Sequence, residues 1–365
     1  MYQKYKISII TPSLNGGGAE RVAINLANHF VSVGNEVDLV VFKLIGPYQS
    51  LISPGVNVVD LNVSRTRYVF LKMRRYLRAN RNSLVLSVIR DSNIFVGLAA
   101  IGLRLKSITY REANTLDGVL SKNLPSRFIY LSLMKLAYSR ADNIIANSDD
   151  TKADLVGNGL TNKNKVSVIR NPVLVPNYEK SKSAHVDEDW FRRSDLKVVL
   201  SVGRFHPQKN FLFLISVFKE VYHENQSARL MIVGEGEEKQ CLLDQIKKEG
   251  LTEVVKLVEF QGNIYPYYEN ADLFALTSEW EGFGNVLVEA LSVGLPVVST
   301  NCPGGPKMIL KNGKYGMLIP LGDKQAYVDA LLKSLESPAK SQDSIEYAKR
   351  FTVESVAKDY LEVMQ

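Results

Sequence analysis

Four stretches of this sequence combine residue types suited to a phosphorylated or polyhydroxylated ligand. The densest is Ser278-Glu279-Trp280-Glu281-Gly282-Phe283-Gly284-Asn285-Val286-Leu287-Val288-Glu289. The glycines at 282 and 284 would admit a ligand against the backbone. Asn285 is expected to cap a helix, leaving the amides of Val286 and Leu287 as donors aimed out of its end. Glu289 on the first turn and Glu281 in the loop before it can then face one pocket. A carboxylate that merely suits the helix dipole would account for Glu289, but not for two glutamates bracketing Gly-Phe-Gly.

The second stretch is Gly203-Arg204-Phe205-His206-Pro207-Gln208-Lys209-Asn210. Arg204 follows an expected strand and Lys209 precedes a helix, so two cations meet at the carboxyl edge of a sheet. That pairing suits a diphosphate, with arginine giving a forked contact and lysine a point charge. The third is Gly16-Gly17-Gly18, again before a helix, where backbone can approach an anion. It is no dinucleotide fingerprint, because Arg21 stands where the third glycine belongs, and it is no P-loop, because no Gly-Lys-Ser/Thr follows. The fourth, Asn301-Cys302-Pro303-Gly304-Gly305-Pro306, has a cysteine without a nearby histidine, which reads as a small buried residue. His29, His185, His206 and His223 show no metal-ligand spacing, and Asp187-Glu188-Asp189 reads as solvated charge. No metal or other cofactor is expected.

The elements that must position these loops alternate strand and helix. Lys6–Thr11 reads as a buried strand, Ala19 to about Val33 as a helix with Val22, Leu26, Ala27 and Phe30 on one stripe, and Glu36–Phe42 as the next strand. Further units follow at Leu84–Ile89, Ser107–Arg111, Asn143–Ala146 and Val166–Ile169. After a polar stretch without periodicity, Pro176–Asp195, the alternation restarts at Val198–Val202 and runs through Phe211–His223, Leu230–Val233, Glu237–Glu249, Leu273–Thr277, Asn285–Val293, Pro296–Ser299 and Asp323–Leu335. The fold class is therefore α/β, with two doubly wound parallel sheets, and ligands bind at the carboxyl ends of such strands. The expected domains are 1–175, a linker 176–195, 196–345, and a C-terminal helix 346–365 crossing back onto the first, with Phe351, Val356, Tyr360 and Val363 apolar.

A length of 365 residues with 45% hydrophobic and 23% charged side chains fits a two-domain globular protein and excludes a disordered or disulfide-built chain. The charge-free apolar stretch Ser92–Leu103 is shorter than the ~20 residues of a membrane helix. The amino terminus resembles no secretory signal, so a cytoplasmic protein is expected. The net charge of +7 is uneven. Residues 1–175 hold 23 Lys and Arg against 11 Asp and Glu, or +12; the remainder holds 22 against 27, or −5. One half thus presents a positive field to something anionic.

Taken in order, these motifs resemble the retaining, nucleotide-sugar-dependent glycosyltransferases of family four, which have the GT-B fold of two Rossmann-like domains. The resemblance rests on the early glycine-rich turn, Gly203-Arg204 with Lys209, and Glu281-x7-Glu289 running through Ala290 into Gly294-Leu295-Pro296-Val297-Val298. It implies that Arg204, Lys209 and the amides after Gly284 neutralise a departing diphosphate. Glu281 and the backbone of Gly282, Phe283 and Gly284 would hold the donor sugar, and Glu289 the ribose hydroxyls. Gly17, Gly18, Asn285, Val286 and Leu287 complete the expected donor set, with Asn263 near the base. It also implies retention of configuration without a metal. Members often carry histidine after a middle strand of the first domain, where this chain reads Tyr110-Arg111-Glu112-Ala113-Asn114; Arg111 and Glu112 are assigned to sugar or acceptor binding.

Arg67, Arg74, Arg78 and Arg81 fall on one helical stripe flanked by Lys72 and Arg75, opposite Phe70, Met73 and Leu77. Such a helix suits an anionic membrane surface or the diphosphate of a lipid-linked acceptor, and Arg74, Arg75 and Arg78 are assigned there. No nucleic-acid module accompanies the charge. The expected activity is transfer of a hexose or N-acetylhexosamine from a UDP sugar to a lipid-linked saccharide in surface-polysaccharide assembly, at the inner face of the cytoplasmic membrane. The rival readings are a UDP-N-acetylglucosamine 2-epimerase on the same fold and a non-catalytic two-lobed sugar-binding protein.

Overall fold

The computed structural model describes all residues except 1–3, 16, 64, 66, 115, 117–123, 177, 180–184 and 337, and the side chains of 67 and 124–126. The chain forms two compact units, Met1–Val175 with Phe351–Gln365, and Pro176–Arg350.

The first unit runs β1 (Lys6–Thr11), α1 (Gly18–Ser32), β2 (Glu36–Val41), β3 (Asn57–Asp60), α2 (Arg67–Ala79), β4 (Leu84–Ser87), α3 (Arg90–Ala100), β5 (Ser107–Glu112), α4 (Leu124–Tyr138), β6 (Asn143–Ala146), α5 (Asp149–Gly157) and β7 (Val166–Val168). Its seven strands lie in the order β3-β2-β1-β4-β5-β6-β7, and every pairing is parallel. Strands covered on both faces need continuous apolar runs, and Ile7, Ile9 and Ile10 of β1 are fully buried. On one face α2 packs against α3 and α3 against α4; Gly97 of α3 permits this, because any side chain there would press on the backbone of Ala137.

The second unit runs α6 (Asp189–Arg192), β8 (Lys197–Val202), α7 (Phe211–Glu224), β9 (Ala228–Val233), α8 (Lys239–Lys248), β10 (Val255–Val258), α9 (Tyr265–Asn270), β11 (Leu273–Leu276), α10 (Asn285–Ser292), β12 (Val297–Thr300), α11 (Pro306–Ile309), β13 (Met317–Ile319), α12 (Lys324–Glu336) and α13 (Gln342–Ala348). The strand order is β10-β9-β8-β11-β12-β13, all parallel. The order reverses between β1 and β4 in one sheet and between β8 and β11 in the other. Loops leaving those strand pairs diverge and open a crevice at the carboxyl edge of each sheet.

The last helix, α14 (Val353–Met364), belongs to the first unit. Its Val353, Val356, Ala357, Tyr360 and Met364 share a buried cluster with Val22, Leu26 and Phe30 of α1.

Two boundaries differ from the sequence expectation. The second unit begins at Pro176, and the described part of the supposed linker packs on it. Tyr178 is buried against Tyr265, Phe191 meets Tyr267 edge-on, and Glu188 pairs with Lys256 at 2.5 Å. These aromatics lack periodicity, so no pattern announced their burial. The unit extends to Arg350, because Tyr347 stacks on Tyr315 with ring centroids 4.1 Å apart, and the return begins at Phe351. Strands β3, β10 and β13 were not read from the sequence; they are three or four residues long, and β3 and β10 include a charged residue.

Candidate functional site

Lys209 and Glu281, 72 positions apart in the chain, meet at the strand-order reversal of the second sheet. Lys209 Nζ donates to Glu281 Oε1 at 2.5 Å, and Ser278 Oγ donates to the same oxygen at 2.6 Å. Both charged side chains are largely enclosed, at 14% and 8% exposure. The lysine stem lies over Gly203, where a Cβ would sit 3.0 Å from Lys209 Cε. The two loops are laced by Thr277 Oγ1 donating to Lys209 O, Glu279 N to Gln208 O, and Gln208 Nε2 to Trp280 O, at 2.9, 2.9 and 2.8 Å. Arg204, by contrast, is exposed and has no hydrogen-bond or ion-pair partner among the described residues. The site thus sets one cation in a buried ion pair and leaves a second exposed, without a partner among the described residues.

Glu281 is held from behind by the loop after β12. Its amide donates to Pro303 O at 3.0 Å, and Thr300 Oγ1 donates to Ser278 O at 2.7 Å. Gly304 and Gly305 are there for packing: a Cβ on either would overlap the carbonyl of Glu281 or Phe283. They serve the loop rather than a ligand. Cys302 is buried, and burial followed by the charge of Glu281 pushes its thiol up to about 12, so it is no nucleophile at neutral pH.

At the start of α10 the capping differs from expectation. Gly284, left-handed at φ 97°, is the cap, and Asn285 is the first helical residue. The amide of Leu287 is engaged with Gly284 O at 2.9 Å and is therefore not a ligand donor. The Phe283 ring is buried in the unit, leaving only its backbone for contact. Glu289 sits on the second turn and accepts from the buried Tyr268 hydroxyl at 3.0 Å. Burial and the neighbouring carboxylate push that phenol well above its ordinary value, keeping it a donor. Asn263 is exposed on the loop after β10, its side-chain oxygen accepting from the Tyr265 amide at 3.3 Å. Sequence reasoning missed Ser278, Tyr268 and the Gly234-Glu235-Gly236 turn. That turn carried a signal, a Gly-x-Gly after a strand. Its Glu235 carbonyl accepts from Phe205 N of the Arg204 loop at 2.8 Å, and two residues past the turn Glu238 N donates to Phe205 O at 3.1 Å.

In the first unit, Gly17 caps α1 and Gly18 opens it, with Gly16 outside the described residues. The Glu20 carboxylate folds back over Gly17. Arg111 and Glu112 do not reach a ligand surface: both are buried and internally paired. Arg111 bonds Tyr360 Oη at 3.1 Å, Val88 O at 3.3 Å and Asn171 Oδ1 at 2.6 Å, which fastens α14 to β5. Glu112 receives Arg90 through Nε and Nη2 at 3.0 and 2.9 Å, with Asn93 and the Tyr138 hydroxyl on its other oxygen. They are charges the fold neutralises, not acceptor contacts. Arg74 is likewise committed, donating to Ala99 O and Ile101 O at 2.8 and 2.7 Å at the C-terminal end of α3. Lys72 bonds Leu61 O and Asn62 O. Arg75 and Arg78 remain exposed without a partner among the described residues. Arg81 lies past the end of α2. Among the described residues no three His, Cys, Asp or Glu side chains are grouped to hold a metal ion.

Residues 16–174 match the model for Glycosyltransferase Family 4, and residues 184–351 that for Glycosyl transferases group 1. The chain is 26% identical over 376 residues to the N-acetylgalactosamine-N,N'-diacetylbacillosaminyl-diphospho-undecaprenol 4-alpha-N-acetylgalactosaminyltransferase of Campylobacter jejuni, covering 98% of this chain and 99% of that one. It is 29% identical over 315 residues to the amylovoran biosynthesis glycosyltransferase AmsD of Erwinia amylovora, covering 85% of each. Among solved structures, Anabaena HepE in complex with UDP and glucose superposes with a TM-score of 0.81 at 20% identity over 99% of both chains. The apo lipopolysaccharide outer core galactosyltransferase WaaB gives 0.73 at 21% identity, covering 98% of this chain and 99% of that one. Two doubly wound parallel sheets of this kind are the GT-B fold. The chain belongs to glycosyltransferase family 4.

Proposed function

We propose that this glycosyltransferase moves a hexose or N-acetylhexosamine from a UDP sugar to a lipid-linked saccharide, with retention of configuration and without a metal. The observation that carries the reading is the Lys209–Glu281–Ser278 cluster beside the exposed Arg204, at the strand-order reversal of the second sheet. Arg204 and Lys209 would take the charge of the leaving diphosphate as the bond from the anomeric carbon to its oxygen breaks. The acceptor hydroxyl forms the new bond on the same face and gives its proton to the departing phosphate oxygen. Glu281, fixed by two donors, would accept from sugar hydroxyls, and Glu289, fixed by Tyr268, from the ribose. Glycan-building relatives, including one whose acceptor is an undecaprenyl diphosphate saccharide, support an acceptor of that class in surface-polysaccharide assembly. The exposed Arg75 and Arg78 suit an anionic membrane face, and no helix among the described residues is long and apolar enough to cross a membrane.

The test is a thermal-shift series with UDP, GDP and ADP sugars, followed by transfer to saccharide diphosphate lipids with the product anomer read by NMR. UDP sugars should stabilise the wild type selectively. Arg204→Ala should lower kcat/KM about 10- to 100-fold, the loss of one charged hydrogen bond, without changing the melting temperature. Selective stabilisation by another nucleotide would replace the donor, an inverted anomer would overturn retention, and loss of turnover in chelator would overturn metal independence.

A further inference from the structure

α4 exposes four large apolar side chains on one side, with the small Ser132 between them and Ser139 just past the helix end. Phe128 is 73% exposed, Ile129 62%, Leu133 41% and Leu136 49%. At 3.6 residues per turn these four span an arc of about 140°, and the opposite arc, with Met134, Ala137 and Tyr138, is buried. Large apolar side chains left in water along one side of a helix mark a contact surface. On the same layer, α2 leaves Leu71 63% and Tyr68 42% exposed on the side that carries Arg75 and Arg78. α3, packed against both, lies between them. Neither α2 nor α4 contains an aspartate or glutamate, and Lys135 stands exposed at the edge of the α4 stripe.

We infer that the α2 and α4 faces together seat the first unit on an anionic lipid bilayer, with Phe128, Ile129, Leu133 and Leu136 entering the acyl boundary and Arg75, Arg78 and Lys135 lying among the headgroups. The inference rests on the membrane-linked acceptor proposed above and names the element that is embedded. Charge selects the occupant. A second copy brought onto this surface would set cation-rich, acid-free helices against each other, whereas an anionic leaflet complements them. A helix with an apolar side and basic flanks lies in the interface plane, its apolar face buried just below the headgroups.

Vesicle flotation tests this without donor or acceptor, so its failure would leave the transferase reading standing, and a failed transfer assay would leave the docking intact. Wild type should float with vesicles of phosphatidylglycerol and phosphatidylcholine in equal parts, poorly with phosphatidylcholine alone, and less as salt screens the arginines. Phe128→Ser with Leu133→Ser should weaken binding at least about tenfold. The equally solvent-facing Leu243→Ser on α8 should not. In a Cys241→Ser background, an environment-sensitive dye on Ile129→Cys should shift to the blue on adding the anionic vesicles. Equal flotation of wild type and the double variant, no wild-type flotation, or a dimer in light scattering that the double variant dissociates would each overturn the inference.

Discussion

The chemistry at the centre of the second unit depends on one charged pair whose members cannot be exchanged independently. Lys209 and Glu281 are mostly enclosed, so removing one strands the other; breaking a buried pair in this way costs about 3–5 kcal/mol. Lys209→Ala should therefore lower both the melting temperature and transfer. Lys209→Met combined with Glu281→Gln removes both charges at once and should recover most of the melting temperature while transfer stays lost. Recovery of activity in that double variant would show the pair to be structural. Arg111 and Glu112 teach the converse lesson. Their type and place after a middle strand matched a ligand-binding position in the sequence, yet their partners, Tyr360, Asn171 and Arg90, come from 249, 60 and 22 residues away. A side chain's partner is set by topology, and no local spacing shows which charge the fold will cancel. Glu281, Arg204 and Lys209 stand between a strand and the next helix with glycines nearby, and Glu289 on the helix that follows, so their positions relative to the strands could be read from the sequence.

At the scale of elements, strong apolar alternation was readable and weak alternation was not. β1, β6 and α7 fall within a residue of the expected bounds, since continuous buried runs or clean stripes mark them. β13, three residues with two half-buried, carries too little pattern to be seen. Packing glycines show the same limit: nothing in the spacing of Gly304 and Gly305 reveals that the carbonyls of Glu281 and Phe283 press against them. Gly305→Ala should destabilise by about 1–3 kcal/mol, the usual range for forcing atoms into a packed site. Gly262→Ala, with open space around it, should leave the urea midpoint unchanged. Between α1 and α14, burial lowers the pKa of His29 from its ordinary 6.5, opposed by the charge of Glu354. The unfolded chain then binds the proton more readily. This contribution is complete above pH 6.5 and shrinks as pH falls below it. Melting temperatures measured across that window should fall less steeply in His29→Gln than in wild type; parallel curves would discount the histidine.

For the whole molecule, the second unit is an insertion in the first, entered at Pro176 and left at Arg350. The two tryptophans, Trp190 and Trp280, both lie in the second unit, so their fluorescence reports that unit alone. A chain ending at Arg350 loses Val353, Val356, Tyr360 and Met364 from the cluster around α1 and strips Arg111 of one partner. Its tryptophan unfolding transition in urea should match wild type, while the far-ultraviolet signal of the first unit should melt at lower denaturant. A shifted tryptophan transition would mean that α14 supports the second unit too. The same interleaving constrains the order of events on the ribosome. Residues 1–175 emerge with the hydrophobic floor for α14 uncovered, and at 5–20 residues per second roughly 10–35 s pass before α14 is translated. The inserted unit is contiguous and can fold during that interval, so the half of the enzyme made first is the half completed last, and nascent chains stalled within the insertion are the ones chaperones should hold longest.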